Sequence, residues 1–261
     1  MKKIFLSVLV LAACSLQGAL IDYRTAASVG DGAPGNLISR TNGLFTVTAS
    51  AWNAGSVGVG PFTKARLRDY GTAGLGVCSA SEYLSGSTGG TACNSSATDP
   101  SEHQVDNLGE YEFVMFQFSS TTQAQLLVTN IQVLIGSLAS DWDVSYWVGN
   151  TNGSFNLENQ TTAQLAASGF LARTDVANGN LPVSGGLTTV NVGNNLIGYN
   201  TIIFGPRVEG LGQGQDGFKI KQINWTVPGG TGTNETVPEP GTYAMLGAGL
   251  LALGYWRGKS A

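Results

Sequence analysis

The chain has 261 residues, of which 37 are glycine, 42% are hydrophobic and only 11% are charged. That hydrophobic share, with a formal net charge of −4, excludes an intrinsically disordered chain, which combines low hydrophobicity with high net charge. The 13 basic and 17 acidic residues leave no basic excess, so we expect no nucleic-acid partner.

The N-terminus has the pattern of an export signal. Lys2 and Lys3 precede an apolar run at residues 4–13, which is too short for a transmembrane helix. We therefore assign residues 1–19 to a signal peptide. Two alternatives stay open: cleavage after Ser15, or a lipoprotein signal ending before Cys14, because Leu-Ala-Ala-Cys resembles a bacterial lipobox. In the second alternative Cys14 is lipidated.

The body of the chain, residues 20–228, is predicted to be all-β. Glycine, serine, threonine and asparagine are abundant, and apolar residues alternate with polar ones, which predicts about ten short strands. The clearest runs are residues 45–51, 112–118, 126–135, 142–148, 187–192, 201–204 and 218–227. The alternation changes phase within the last run, which predicts a β-bulge near Lys221 and Gln222. We expect a single, jelly-roll-like β-sandwich, with one short helix at residues 159–171.

Cys78 and Cys93 flank a polar, glycine-rich insertion. In an exported chain such a pair predicts a disulfide, worth roughly 3 kcal/mol of stability in the chain-entropy model. The third cysteine, Cys14, lies within the export signal, so the body keeps an even pair.

Four polar residues are candidates for a structural calcium site. Asp141 and Asp143 lie two residues apart on one predicted strand, so their carboxylates point the same way. Asp106 and Asn107 precede the strand predicted at residues 112–118. Ca²⁺ takes several oxygen ligands from separate segments, which these side chains supply if their strands are neighbours. The alternative is a capped turn beside a solvated sheet face. We expect no other cofactor.

The sequence predicts no catalytic residues. It has no Gly-x-Ser-x-Gly motif, and His103 is its only histidine. Trp147 shares one side of its predicted strand with Asp143 and Ser145, which predicts an exposed ring and favours a carbohydrate-binding module as an alternative function. A polysaccharide hydrolase or lyase is a second alternative, because carboxylate pairs are available among the 17 acidic residues.

The C-terminal end has three parts. Residues 229–236 form a flexible glycine-rich linker by composition. Residues 237–261 begin with Val-Pro-Glu-Pro, continue with an apolar stretch at residues 243–256, and end with a basic tail. A 14-residue helix covers only ~21 Å of a ~30 Å hydrocarbon core, so the predicted transmembrane helix is short. Arg257 and Lys259 predict a cytoplasmic C-terminus and an exported body.

This combination resembles the PEP-CTERM sorting signal of exopolysaccharide-producing Gram-negative bacteria. The resemblance implies recognition by an exosortase, a membrane cysteine peptidase-transferase, at or near Pro238, Glu239 and Pro240. It further implies an inner-membrane intermediate, followed by release to the cell surface or the exopolysaccharide matrix, with a structural or adhesive role there. The chain departs from the pattern in its shorter helix and in having only two basic residues in the tail.

Overall fold

The computed structural model describes residues 17–25, 33–79, 104–107, 109–137, 142–153, 155–177, 186–193, 197–208 and 216–228. Within these ranges the chain is all-β, as predicted. Fourteen strands, numbered in chain order, form two antiparallel sheets. Contacts divide the chain into one unit at Met1–Gly229 and another at Gly230–Ala261, and the described residues all belong to the first.

The first sheet is built around its longest strand. Its members are β1 (Gln17–Asp22), β5 (Arg66–Asp69), β6 (Leu75–Cys78), β7 (Val105–Asp106), β9 (Thr129–Ser137), β12 (Leu187–Val192) and β14 (Gly217–Val227). Strand β14 pairs with β9 along one edge and with β7, β6 and β1 along the other. The sheet order is β12-β9-β14-β6-β5, with β1 and β7 beside β14.

The second sheet contains the other seven strands, in the order β11-β10-β13-β8-β3-β2 with β4 beside β3. They are β2 (Leu37–Asn42), β3 (Phe45–Asn53), β4 (Thr63–Lys64), β8 (Glu112–Ser120), β10 (Val144–Gly149), β11 (Thr174–Val176) and β13 (Thr201–Pro206). Several strands have only two to four residues, too few to show an alternating pattern in the sequence.

One hydrophobic core joins the two sheets. Phe118 of β8 meets Trp225 of β14 with ring centroids 5.3 Å apart, and Phe204 of β13 meets Phe218 of β14 at 5.7 Å. Both ring pairs are edge-to-face, the arrangement that aromatic quadrupoles favour. Ile131, Val133 and Ile135, every second residue along this part of β9, are buried in this core, as the alternation predicted.

A second hydrophobic cluster covers the other face of the second sheet. Trp147 packs there against Phe113, with ring centroids 5.7 Å apart, and is only 3% exposed. The prediction of an exposed Trp147 is therefore wrong. Leu157 and Leu165, from the chain between β10 and β11, belong to the same cluster, so this connection buries a face that a single strand's pattern assigns to solvent.

The helix predicted at residues 159–171 is also wrong. Two 3₁₀ helices stand in its place, Thr162–Gln164 and Ala166–Ser168. Gly169 ends the second with a φ of +93°, a left-handed conformation that favours glycine. Two further 3₁₀ helices lie at Tyr23–Thr25 and Gly71–Ala73, and no α-helix occurs among the described residues.

The β-bulge predicted in the last strand is confirmed. The pairing of β14 with β9 shifts between Ile220 and Gln222, so that β14 carries one extra residue. This shift lets Phe218 and Ile220, before the bulge, face the same core as Ile223, which follows it. A second shift, between Asn224 and Thr226, places an extra residue on β9.

Strand β1 bears on where the export signal ends. It begins at Gln17, which pairs with Val227, and Ala19 pairs with Trp225 while packing against the core. Cleavage after Ala19 would remove half of this strand. The pairing of β1 with β14 therefore favours cleavage after Ser15 or lipidation at Cys14.

We predict that the mature protein begins before Gln17, because residues 17–19 belong to the folded sheet. Mass spectrometry of the N-terminal peptide measures this directly, and it also detects a lipid on Cys14. A mature N-terminus at Leu20 would contradict the prediction.

Candidate functional site

Asp216, immediately before β14, connects three segments of the chain. Its Oδ1 accepts a hydrogen bond from the backbone N–H of Asp143 at 2.8 Å, and its Oδ2 accepts one from Nδ2 of Asn107 at 3.2 Å. Its own backbone N–H donates to Oδ1 of Asn107 at 3.0 Å. Asp216 is 4% exposed, so these bonds supply a buried carboxylate with donors. We call Asp216, Asn107 and Asp143 the Asp216 clasp.

Arg207 extends the Asp216 clasp on one side. Its Nη1 donates to Oδ2 of Asp143 at 3.2 Å, and its backbone N–H donates to the Asp143 carbonyl at 3.0 Å. Both partners are partly exposed, so the ion pair is a modest contribution to stability. The arrangement holds the start of β14, the entry to β10 and the end of β7 together.

The structure thus brings together two of the four residues predicted to bind calcium. Asn107 and Asp143 meet through Asp216, which lies 109 and 73 residues from them in sequence. Asp106 is buried in β7, where its backbone pairs with Gly217, and Asp141 lies outside the described residues. In the described part of the chain, no group of three or more His, Cys, Asp or Glu side chains is placed to hold a metal ion. The calcium site stays a prediction.

The predicted disulfide falls partly outside the described residues. Cys78 ends β6 and is 1% exposed, whereas Cys93 lies in the range 80–103, of which nothing is described. Cys14 is likewise outside the described ranges. The pairing of Cys78 with Cys93 stays a prediction.

A polar groove of about 620 Å³ crosses the outer face of the first sheet. Five amide side chains line it: Asn42, Asn130, Gln132, Asn191 and Asn224. We call it the amide groove. Its wall on one side is Gly18, Ala19 and Leu20 of β1, and none of the described residues that line it is charged.

Strand register explains why the amides meet. Asn191 of β12 is paired with Gln132 of β9, which is paired with Asn224 of β14, which is paired with Leu20 of β1. Their sequence neighbours, such as Val133 and Ile223, face the core, so this row faces outward. Asn130 is the extra residue at the β9 bulge, with a φ of +49°, and Asn42 joins from β2. The sequence pattern gave no sign of this row because its four members come from four separate strands.

We predict that Asp216→Ala lowers the free energy of unfolding by about 3 kcal/mol, since two donors lose a charged acceptor in a buried place. Urea unfolding of the exported protein measures it. Glu158→Ala is the control: Glu158 pairs with Lys64 at 2.8 Å while more than 40% of each side chain is exposed, so its loss should cost under ~1 kcal/mol.

Equal losses of unfolding free energy in the two variants would contradict the assigned role of Asp216.

The same unfolding curves, repeated with added Ca²⁺, test the predicted calcium site. A bound ion raises the apparent stability of the wild-type protein, and an unchanged midpoint would contradict calcium binding.

The C-terminal sorting residues Pro238, Glu239 and Pro240, the apolar stretch at 243–256, and the basic residues Arg257 and Lys259 lie outside the described ranges. In the described part of the chain, no helix is long and apolar enough to cross a membrane.

Comparison with known families identifies the C-terminal end. Residues 236–259 match the family model of the PEP-CTERM protein-sorting motif. Comparisons with curated proteins and with solved structures found no match. The matched range contains the Pro-Glu-Pro sequence, the apolar stretch and both basic residues, as the resemblance in the sequence implied. The chain therefore carries a PEP-CTERM sorting motif, which implies export and exosortase-mediated sorting to the cell surface.

Proposed function

We propose that this protein is a non-catalytic component of the cell envelope or exopolysaccharide matrix, where it has a structural or adhesive role. The observation that carries the proposal is the PEP-CTERM motif at residues 236–259, which lies C-terminal to an all-β body. We further infer that this body is a β-sandwich with jelly-roll-like connections and that a Cys78–Cys93 disulfide closes its polar insertion.

The chemistry of the tail supports processing by a membrane enzyme. Pro238 and Pro240 lack backbone donors, and proline restricts the backbone, so we expect an extended segment there, the form in which a peptidase binds its substrate. Glu239 between them gives the segment one charged side chain for recognition. The apolar stretch at 243–256 holds the segment at the membrane until the exosortase cuts at or near the Pro-Glu-Pro sequence.

Arg257 and Lys259 set the direction of this intermediate. Positive residues next to a membrane segment stay on the cytoplasmic side, so the body lies on the outer side with its linker. Cleavage then frees the body from its short membrane helix and passes it to the surface or matrix.

We expect Glu239→Ala, in cells with an active exosortase, to leave the protein in the inner-membrane fraction. Glu235→Ala is the matched control, because it removes the same charge four residues earlier, within the linker. Cell fractionation followed by immunoblotting measures the distribution. Wild-type protein in cells without the exosortase should resemble Glu239→Ala.

Surface delivery of Glu239→Ala at the level of Glu235→Ala would contradict a recognition role for Glu239. Surface delivery of the wild-type protein in cells that lack the exosortase would contradict the proposed route as a whole.

A further inference from the structure

We propose that the amide groove binds a neutral, hydroxyl-rich polysaccharide chain. The first support is its chemistry. Each of its five amide side chains offers both a carbonyl acceptor and an N–H₂ donor. Sugar hydroxyls also donate and accept, so amides and hydroxyls are complementary without either partner being charged. The described residues that line the groove carry no charge, so they give an anionic or cationic ligand no counterion.

The second support is the length of the row. Asn191, Gln132, Asn224 and Leu20 occupy consecutive cross-strand positions, and neighbouring strands lie about 4.8 Å apart. The row therefore spans about 14 Å across the sheet. An extended chain of a few linked sugars can lie along it, with the exposed Leu20 side chain contacting an apolar sugar face.

The third support is that part of the groove is already ordered. Gln132 Nε2 donates to Oδ1 of Asn191 at 3.0 Å, and Asn42 Nδ2 donates to the carbonyl of Leu20 at 2.9 Å. These bonds fix the side chains before a ligand arrives, which reduces the entropy lost on binding.

The fourth support is hydrogen-bonding capacity that the described residues leave unused. Oδ1 of Asn224, which is an acceptor, has no hydrogen-bond partner among them. A buried polar atom without a partner is costly, and a sugar hydroxyl that enters the groove can donate a hydrogen bond to it.

The composition also argues against a macromolecular partner of another class. Protein interfaces concentrate aromatic, methionine and arginine side chains at their centre, and nucleic-acid interfaces concentrate positive charge. The described lining of the amide groove has neither an exposed aromatic ring nor a basic residue. The inference rests on the proposed function in one respect: sorting to the surface is what brings the protein into contact with polysaccharide outside the cell.

The test is affinity electrophoresis of the full-length exported protein through native gels. The gels contain dextran, galactomannan, or the neutral exopolysaccharide purified from the producing cells. We expect retardation by at least one of them, unchanged by salt up to about 1 M, since no charges are involved. The double variant Gln132→Ala/Asn224→Ala should weaken this binding at least about tenfold, as loss of two hydrogen-bonding side chains implies.

Gln123→Ala/Gln125→Ala is the control. It removes two exposed amides that do not line the groove, and it should bind like the wild-type protein. Gln132→Glu is a second groove variant that keeps the side chain's shape, and it should also bind more weakly. Thermal unfolding of each variant confirms that the fold is intact.

Three results would overturn the proposal: no retardation of the wild-type protein by any of these polysaccharides, equal binding by the groove and control variants, or binding that salt abolishes. The assay uses purified protein, so it is independent of sorting. Failure to bind polysaccharide would not contradict the exosortase route. Failure of sorting would not contradict polysaccharide binding by the amide groove.

Discussion

Strand β14 is the element on which the described structure depends, because it is hydrogen-bonded along both edges. It pairs with β9 on one side and with β7, β6 and β1 on the other. A regular strand could not keep Phe218 and Trp225 on the same face, since they are seven residues apart and side chains alternate. The bulge at Lys221 resolves this conflict. It keeps both rings in the core and leaves Asn224 on the outside, while Asp216 anchors the start of the strand.

The same strand relates the body to the two ends of the chain. Gln17, the first described residue, is paired with Val227, the last residue of β14. The predicted export signal and the predicted linker therefore join the body at two paired residues. Since Gly18, Ala19 and Leu20 of β1 form a wall of the amide groove, the cleavage site of the export signal decides whether the groove is complete.

Patterns within a single strand could be read from the sequence, whereas relations between distant segments could not. The change of phase between Ile220 and Ile223 was enough to predict a bulge, and the Pro-Glu-Pro sequence with its basic tail was enough to predict the sorting motif. Trp147 was misplaced because its burial depends on a connection that contributes Leu157 and Leu165 from outside the strand. The Asp216 clasp spans up to 109 residues, and the amide row takes one residue from each strand, so no local pattern reveals either.

We propose that an exosortase removes the C-terminal membrane segment and releases the body to the cell surface or matrix. Mass spectrometry of the C-terminal peptide of the surface-located protein measures this cleavage. We expect a mature chain that ends at or near Pro238, Glu239 and Pro240 and lacks residues 243–261. A surface-located protein that still carries residues 243–261, recovered from cells with an active exosortase, would contradict it.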